Sequence, residues 1–313
     1  MLKYFISISF LFSMLSCFSQ DYVDLFKFTY LNSPFNKADS VPGPSRVQEF
    51  YLDVTLPIKL SERTAVITGL TIEQMSVSSN PAGFNVKAVY STGLKLGINK
   101  KFGKKWDGTF MFLPKIAADF NRVEDNALQL GGLALFKYHK SDNLKYRVGL
   151  YYNTELFGPF FVPLLGFYYQ SKNKKLEINA TLPVWIDANY KFNNKLAAGV
   201  NFSAFVRSYY LSDIATNGTG QYLVKASNEL YGYLQYTVNE SFLFQAKVGY
   251  SIGRRFSAYD EKDRVTWGFS AFRFGDNRTE TSSGIEDGVI FQGRFIYRFN
   301  LKKEEKSEQL GLK

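Results

Sequence analysis

After its amino terminus the chain runs to Phe299 as a series of strand-length segments in which apolar side chains fall on every second residue. No apolar stretch in that run is long enough to cross a bilayer as a helix. Arg46 to Leu60 shows the pattern best. Phe50, Leu52, Val54, Leu56, Ile58 and Leu60 share one face, while Glu49, Tyr51, Asp53 and Thr55 share the other. A sheet that is oily on one side and polar on the other suits a closed cylinder with lipid outside and water inside, because hydrocarbon tolerates no open sheet edge. The expected fold class is therefore all-β: an antiparallel transmembrane up-and-down β-barrel.

Counting segments gives about fourteen strands: 22–31, 47–59, 65–77, 86–99, 106–119, 128–138, 146–157, 163–170, 176–182, 185–192, 196–211, 222–238, 242–256 and 289–299. Twelve remain possible if short segments pair outside the membrane. The links alternate between two kinds. Short polar turns fall at Ser61-Glu62-Arg63, Gly103-Lys104-Lys105, Ser141-Asp142-Asn143, Lys172-Asn173-Lys174, Asn193-Asn194-Lys195 and Asn239-Glu240-Ser241. Longer links lie between them, at 32–45, 78–85, 121–127, 212–221 and 257–264. Short turns on the periplasmic side and long loops outside are the usual asymmetry of outer-membrane barrels.

Residues 1–20 form a separate unit. Lys3 is followed by a mostly apolar run from Tyr4 to Leu15, too short to span a bilayer and suited to a signal peptide. Cleavage is expected after Ser19, and lipoprotein processing at Cys17 is the rival, although Met14 stands where a lipobox has its leucine. Residues 21–300 are then the barrel and 301–313 a charged periplasmic tail. Cys17 is the only cysteine, so a chain cut after it has no disulfide and no thiolate metal site. Lys+Arg 38 against Asp+Glu 28 is a basic balance, but the cations are scattered over faces, turns and tail and form no stripe for nucleic acid.

Aromatic content is 17%, with Tyr 21 and Phe 30. Tyr138 and Tyr146 flank one short turn, Tyr190 and Phe192 precede another, and Tyr236 and Phe242 bracket a third, so rings recur at one expected membrane boundary. The last strand alternates Phe291, Phe295, Tyr297 and Phe299 with Gln292, Arg294, Ile296 and Arg298. An aromatic end of that kind is what barrel-insertion machinery reads.

The runs Phe157-Gly158-Pro159, Pro163 to Tyr169, Leu176 to Pro183 and Asn189 to Phe192, with Gly249-Tyr250-Ser251 and Arg254-Arg255, resemble a family of outer-membrane β-barrels of unknown function common in Bacteroidota. The resemblance spans most of the chain and implies location and fold. It offers no substrate.

Leu56-Pro57, Leu113-Pro114 and Leu182-Pro183 mark strand ends, bulges or turns, since proline deletes a ladder hydrogen bond. Leu182-Pro183 is read as an outer turn. If it is only a bulge, 176–192 becomes one strand and Val265 to Phe274 must become another to restore parity. Following the parity, the inward residues include Glu49, Asp53, Glu73, Lys95, Asp107, Arg147, Glu155, Glu177, Asp187, Arg207, Lys225, Lys247 and Arg255. Mixed charge of this kind either pairs off to plug a narrow barrel or lines a hydrated pore. Gly158 to Pro163 reads as an outer link, either a stiff loop folded into the mouth or an apolar lip that captures hydrophobic molecules.

Nothing points to an enzyme. The only histidine, His139, lies at a short turn as a solvated residue, and Asp107 and Asp119 are roughly 40 Å apart along one strand at strand rise. No catalytic, cofactor-binding or metal-binding residue is assigned and no cofactor is expected. Two function classes remain: a passive channel or transporter for small molecules with a mixed-charge lumen and no plug domain, or a non-conducting structural or surface-interaction barrel. The expected partners are outer-membrane lipids and lipopolysaccharide, the insertion machinery and a small-molecule solute, with no nucleic acid.

Overall fold

The computed structural model describes residues 22–36, 45–77, 88–120, 127–212, 220–283 and 285–300. The expected signal peptide with Cys17, the expected charged tail, and the centres of four of the longer links lie outside these residues. Strands follow one another in hairpins: β1 (Tyr22–Asn36), β2 (Ser45–Ser61), β3 (Thr64–Val77), β4 (Ala88–Phe102), β5 (Trp106–Ala118), β6 (Leu128–Ser141), β7 (Leu144–Glu155), β8 (Gly158–Gln170), β9 (Leu176–Leu182), β10 (Trp185–Lys191), β11 (Leu196–Leu211), β12 (Gln221–Thr237) and β13 (Phe242–Asp260). Three short strands follow, β14 (Trp267–Phe269), β15 (Phe272–Phe274) and β16 (Glu280–Ser283), and then β17 (Val289–Asn300). All seventeen belong to one sheet; β14, β15 and β16 sit in the link between β13 and β17, and the other fourteen close the wall. Closure is made by β17, which pairs with β13 on one side and with β1 on the other.

The alternation seen in the sequence becomes the two faces of this wall. Leu56, Leu94, Phe112, Leu150, Val248 and Phe291 project outward and are exposed, whereas Asp53, Lys95, Asp107, Glu155 and Lys247 on the same strands face in. Aromatic rings gather at the short-turn rim as expected. Trp106 and Tyr138 lie 5.0 Å apart, Tyr190 and Phe192 5.6 Å, and Phe242 and Tyr297 5.1 Å. The turns at that rim are tied by asparagine side chains: Asn193 Oδ1 accepts from Lys195 N and Leu196 N, and Asn239 Oδ1 from Ser241 N and Phe242 N.

The Leu182–Pro183 peptide is cis and makes the tip of the β9–β10 hairpin, so the outer-turn reading holds. Residues 267–274 nevertheless form β14 and β15, outside the wall count. Two expectations are corrected. Gly158 to Pro163 is no loop: the β7–β8 connection is only Leu156 and Phe157, and β8 begins at once, with Phe160 and Val162 buried. The segment from Ser257 to Asp260 likewise continues β13.

Candidate functional site

The bore divides into a polar inner half and a filled outer half. In the inner half, charged side chains pair between wall strands. Lys95 Nζ lies 2.7 Å from Asp53 and Lys27 Nζ 3.8 Å from it; Arg298 Nε donates to Asp24 at 2.6 Å; Arg147 donates to Asn179 at 2.5 Å. His139 is not a free turn residue, because it stands in β6 with Nε2 2.5 Å from Asp107 Oδ2. Lys137 lies 3.5 Å from the same carboxylate. Tyr22 on β1 donates to Glu177 on β9 at 2.5 Å, linking walls nearly opposite one another around the cylinder. Among the described residues, four lumen-facing amide oxygens, Asn99 Oδ1, Asn153 Oδ1, Gln245 Oε1 and Gln292 Oε1, are buried without a protein partner. Buried polar atoms are nearly always satisfied, so these are the atoms that water in the bore would hold.

The outer half is different. There β11, β12 and β13 leave the wall together as a flap that crosses the mouth. The departure on β13 is a bulge at Gly253, whose φ is 66° and where the register against β12 shifts. The bulge reverses the parity beyond it. Arg254, not Arg255, points inward and donates to Asn36 Oδ1 at 2.7 Å, while Arg255 is exposed. At its far side the flap reaches β5, where Tyr210 pairs with Ala118 and Asp119 N donates to Tyr210 O at 3.0 Å. One face packs Tyr209, Leu223 and Phe256 on Met75, Val89 and Ala117; the other packs Tyr210, Tyr222 and Val224 on Phe157, Phe160 and Leu164.

Charged pairs pin the flap. Arg207 bonds Glu73, Lys225 bonds Glu49, and Tyr209 donates to Glu73 at 2.9 Å. On the other face Ser208 donates from both N and Oγ to Glu155, at 3.0 and 2.5 Å, and Lys115 lies 3.2 Å from that carboxylate. The apolar parity of the sequence places Glu49, Glu73, Glu155, Arg207 and Lys225 inside, but nothing in it signals that β11 and β12 carry Arg207 to β3 and Lys225 to β2. Above the flap, Arg278 donates twice to Asp276, each at 2.8 Å, and this hydrogen bonding holds the Asp276 carboxyl below its ordinary range.

Among the described residues no three His, Cys, Asp or Glu side chains gather as a metal ion would need. An apolar depression of about 570 Å³ bordered by Leu96, Phe110 and Leu150 includes outward residues of the wall and suits lipid chains rather than a solute.

Residues 16–272 match the model of a family described as a domain of unknown function, DUF6268. No curated protein is matched. Among solved structures the chain is similar to an outer membrane channel from Pseudomonas putida F1 (7% identity, 88% of this chain and 94% of that one, TM-score 0.47). It is also similar to a monoaromatic hydrocarbon channel, CymD (10%, 88% and 89%, 0.36), and to a Pseudomonas aeruginosa FadL homologue (9%, 88% and 89%, 0.33).

Proposed function

The chain belongs to the DUF6268 family of unknown function, and from that footing we propose that it is an outer-membrane channel for small molecules, closed along its axis in this state. The observation that carries the reading is how the bore is closed. Both crossings, Tyr22 to Glu177 inside and the flap outside, are made by side-chain pairs, apolar side-chain packing and one sheet edge, so they can part while all fourteen wall strands keep their neighbours. The walls behind them carry paired charges of both signs and unsatisfied acceptors, which suits water and solutes of either charge. The apolar belt belongs in the outer membrane against lipid and lipopolysaccharide, and the aromatic end of β17 is the signal for the insertion machinery.

Single-channel recording from purified protein in planar bilayers tests this. The wild-type chain is expected to be mostly silent with brief openings, and Glu49→Gln with Glu73→Gln, which unpins the flap, is expected to open it more often. A second reading, a non-conducting structural barrel, is favoured by the burial of both flap faces. Silence from both the wild type and the unpinned variant, each folded, establishes that reading and ends the first.

A further inference from the structure

The wall has a low point. β9 and β10 are seven residues each, which at strand rise and a tilt near 40° stand roughly 18 Å tall, against an apolar band of about 25 Å. On β8 the pairing with β9 runs from Leu165 to Gln170, and on β11 the pairing with β10 runs from Ala197 to Ser203. Beyond Ala204, whose N donates to Val184 O at 2.8 Å, β11 turns inward with the flap. The upper edges of β8 and β11 therefore part within the thickness of the outer leaflet, and among the described residues no wall strand stands between them.

What stands there instead is the β14–β15 hairpin. It holds β8 by two parallel pairings, Gly268 with Phe160 and Phe269 with Phe161, and by bonds from Val265 N to Phe157 O and Ser270 N to Phe161 O, both 2.8 Å. By contrast β7 and β8 are paired along their whole length, from Leu144–Tyr169 to Glu155–Gly158. The hairpin turns Trp267, Phe269, Phe272 and Phe274 outward, Phe272 being 66% exposed, which is a surface for lipid rather than water. Its inner side carries Arg273, stacked on the rings of Phe157 and Phe160.

Directly behind the hairpin the lumen changes character. Leu133, Leu135, Tyr151, Val162 and Leu164 on the wall meet Val206 on the flap strand, an apolar patch in contrast to the paired charges of the inner half. Trp185, at the hairpin tip of β9–β10, shares the inward face of Thr181, which Arg147 contacts from the lumen side.

We propose that this gap is a lateral doorway through which small, uncharged apolar solutes dissolved in the outer leaflet reach the Leu133–Leu164 patch, with the β14–β15 hairpin as its door. Solutes of that class are the ones concentrated in lipid beside the gap, and the patch offers them contact without a charge to desolvate. The inference deepens the channel reading by naming a solute class and a route.

The test uses the full chain with Cys17→Ser, reconstituted in dioleoyl phosphatidylcholine vesicles. Trp106→Phe and Trp267→Phe leave Trp185 as sole reporter, and bromobenzene is the quenching probe. Paired cysteines at Phe161→Cys and Phe269→Cys, on neighbouring backbones, lock the door when oxidised. Quenching of Trp185 is expected to be saturable and several-fold steeper in the reduced than in the oxidised protein, with dithiothreitol restoring it. Leu164→Asn, with the door free, is expected to flatten it as well. Equal quenching in locked and reduced protein, or a linear rise with probe in both, overturns the doorway. Bilayer currents separate the two readings: currents with lock-independent quenching sink only the doorway, whereas saturable, lock-dependent quenching without currents sinks only the axial channel.

Discussion

From Ser227 to Tyr236, β12 alternates buried and exposed residue by residue; from Gln221 to Lys225 every residue is buried. β13 behaves alike, alternating from Phe242 to Gln245 and then burying Phe256, Ser257, Ala258 and Tyr259 in a row. One pair of strands thus obeys two rules. Period two appears where one side meets lipid, and it disappears where both sides meet protein. The wall is a boundary between solvents, while the flap is a piece of protein interior, with the close packing and sensitivity to lost volume that interiors have.

The sharpest way to break that comparison is to remove matched volume from each region. Phe256→Ala leaves a cavity in the flap and is expected to destabilise the barrel by about 3–5 kcal/mol. Leu234→Ala, at a position 66% exposed on the lipid side, lets lipid fill the space and should cost only the transfer contribution, roughly 2 kcal/mol or less. Equilibrium urea unfolding in phosphocholine vesicles measures both, and equal losses would mean that the flap is not packed as an interior. The converse substitution comes next in size. Val248→Arg on the outer wall is expected to cost about 2–4 kcal/mol in the same assay by placing a charge in hydrocarbon, and a negligible effect would place β13 away from lipid.

The two regions meet at Gly253. Its φ of 66° is a left-handed conformation that a Cβ resists, while the nearest atom to an added Cβ, Asn228 Nδ2, is 3.7 Å away, so space is no obstacle. Gly253→Ala therefore isolates backbone strain, expected at roughly 1–2 kcal/mol. If the bulge is what lets the flap leave the wall, the same variant should also raise opening frequency in bilayers; a loss of stability with unchanged gating would separate the bend from the closure.

This contrast also explains what could be read in advance. All fourteen wall strands were legible, even the short β9 and β10, because lipid imposes alternation and the asparagine turns mark the ends. The flap was not. Tyr222 to Lys225 reads as strand under either rule, Ser257 to Tyr259 reads as part of an outer link, and the partners of Arg207 and Lys225 are more than 100 residues away on β3 and β2. Unbroken alternation points Arg255 inward, whereas the one-residue bulge flips every side chain beyond it, and Gly253 is the only clue to it in the sequence. Gly158 to Pro163 reads as a loop in the sequence because two prolines argue against a central strand; both stand on β8 where its neighbour on one side is the β14–β15 door rather than a wall strand.

The smallest expected effect concerns the link that carries the door. Arg278 bonds Asp276 and lies over the ring of Tyr259 on the flap, so it ties the segment after β15 to the filled mouth. The Asp276 carboxyl is held below its ordinary value by that bond. A carboxyl depressed in the folded state favours that state at pH above the unfolded value, about 3.9, and the contribution fades as pH falls through the lower folded value. Emission from Trp267, made the sole tryptophan by Trp106→Phe and Trp185→Phe, should hence stay constant from neutral pH down to the ordinary aspartate range and shift only below it. Asp276→Asn should abolish the shift and leave neutral-pH emission close to that of the acidified parent. A transition centred above the ordinary aspartate value, or one that survives Asp276→Asn, would assign the acid response to another carboxylate and detach the door from this ion pair.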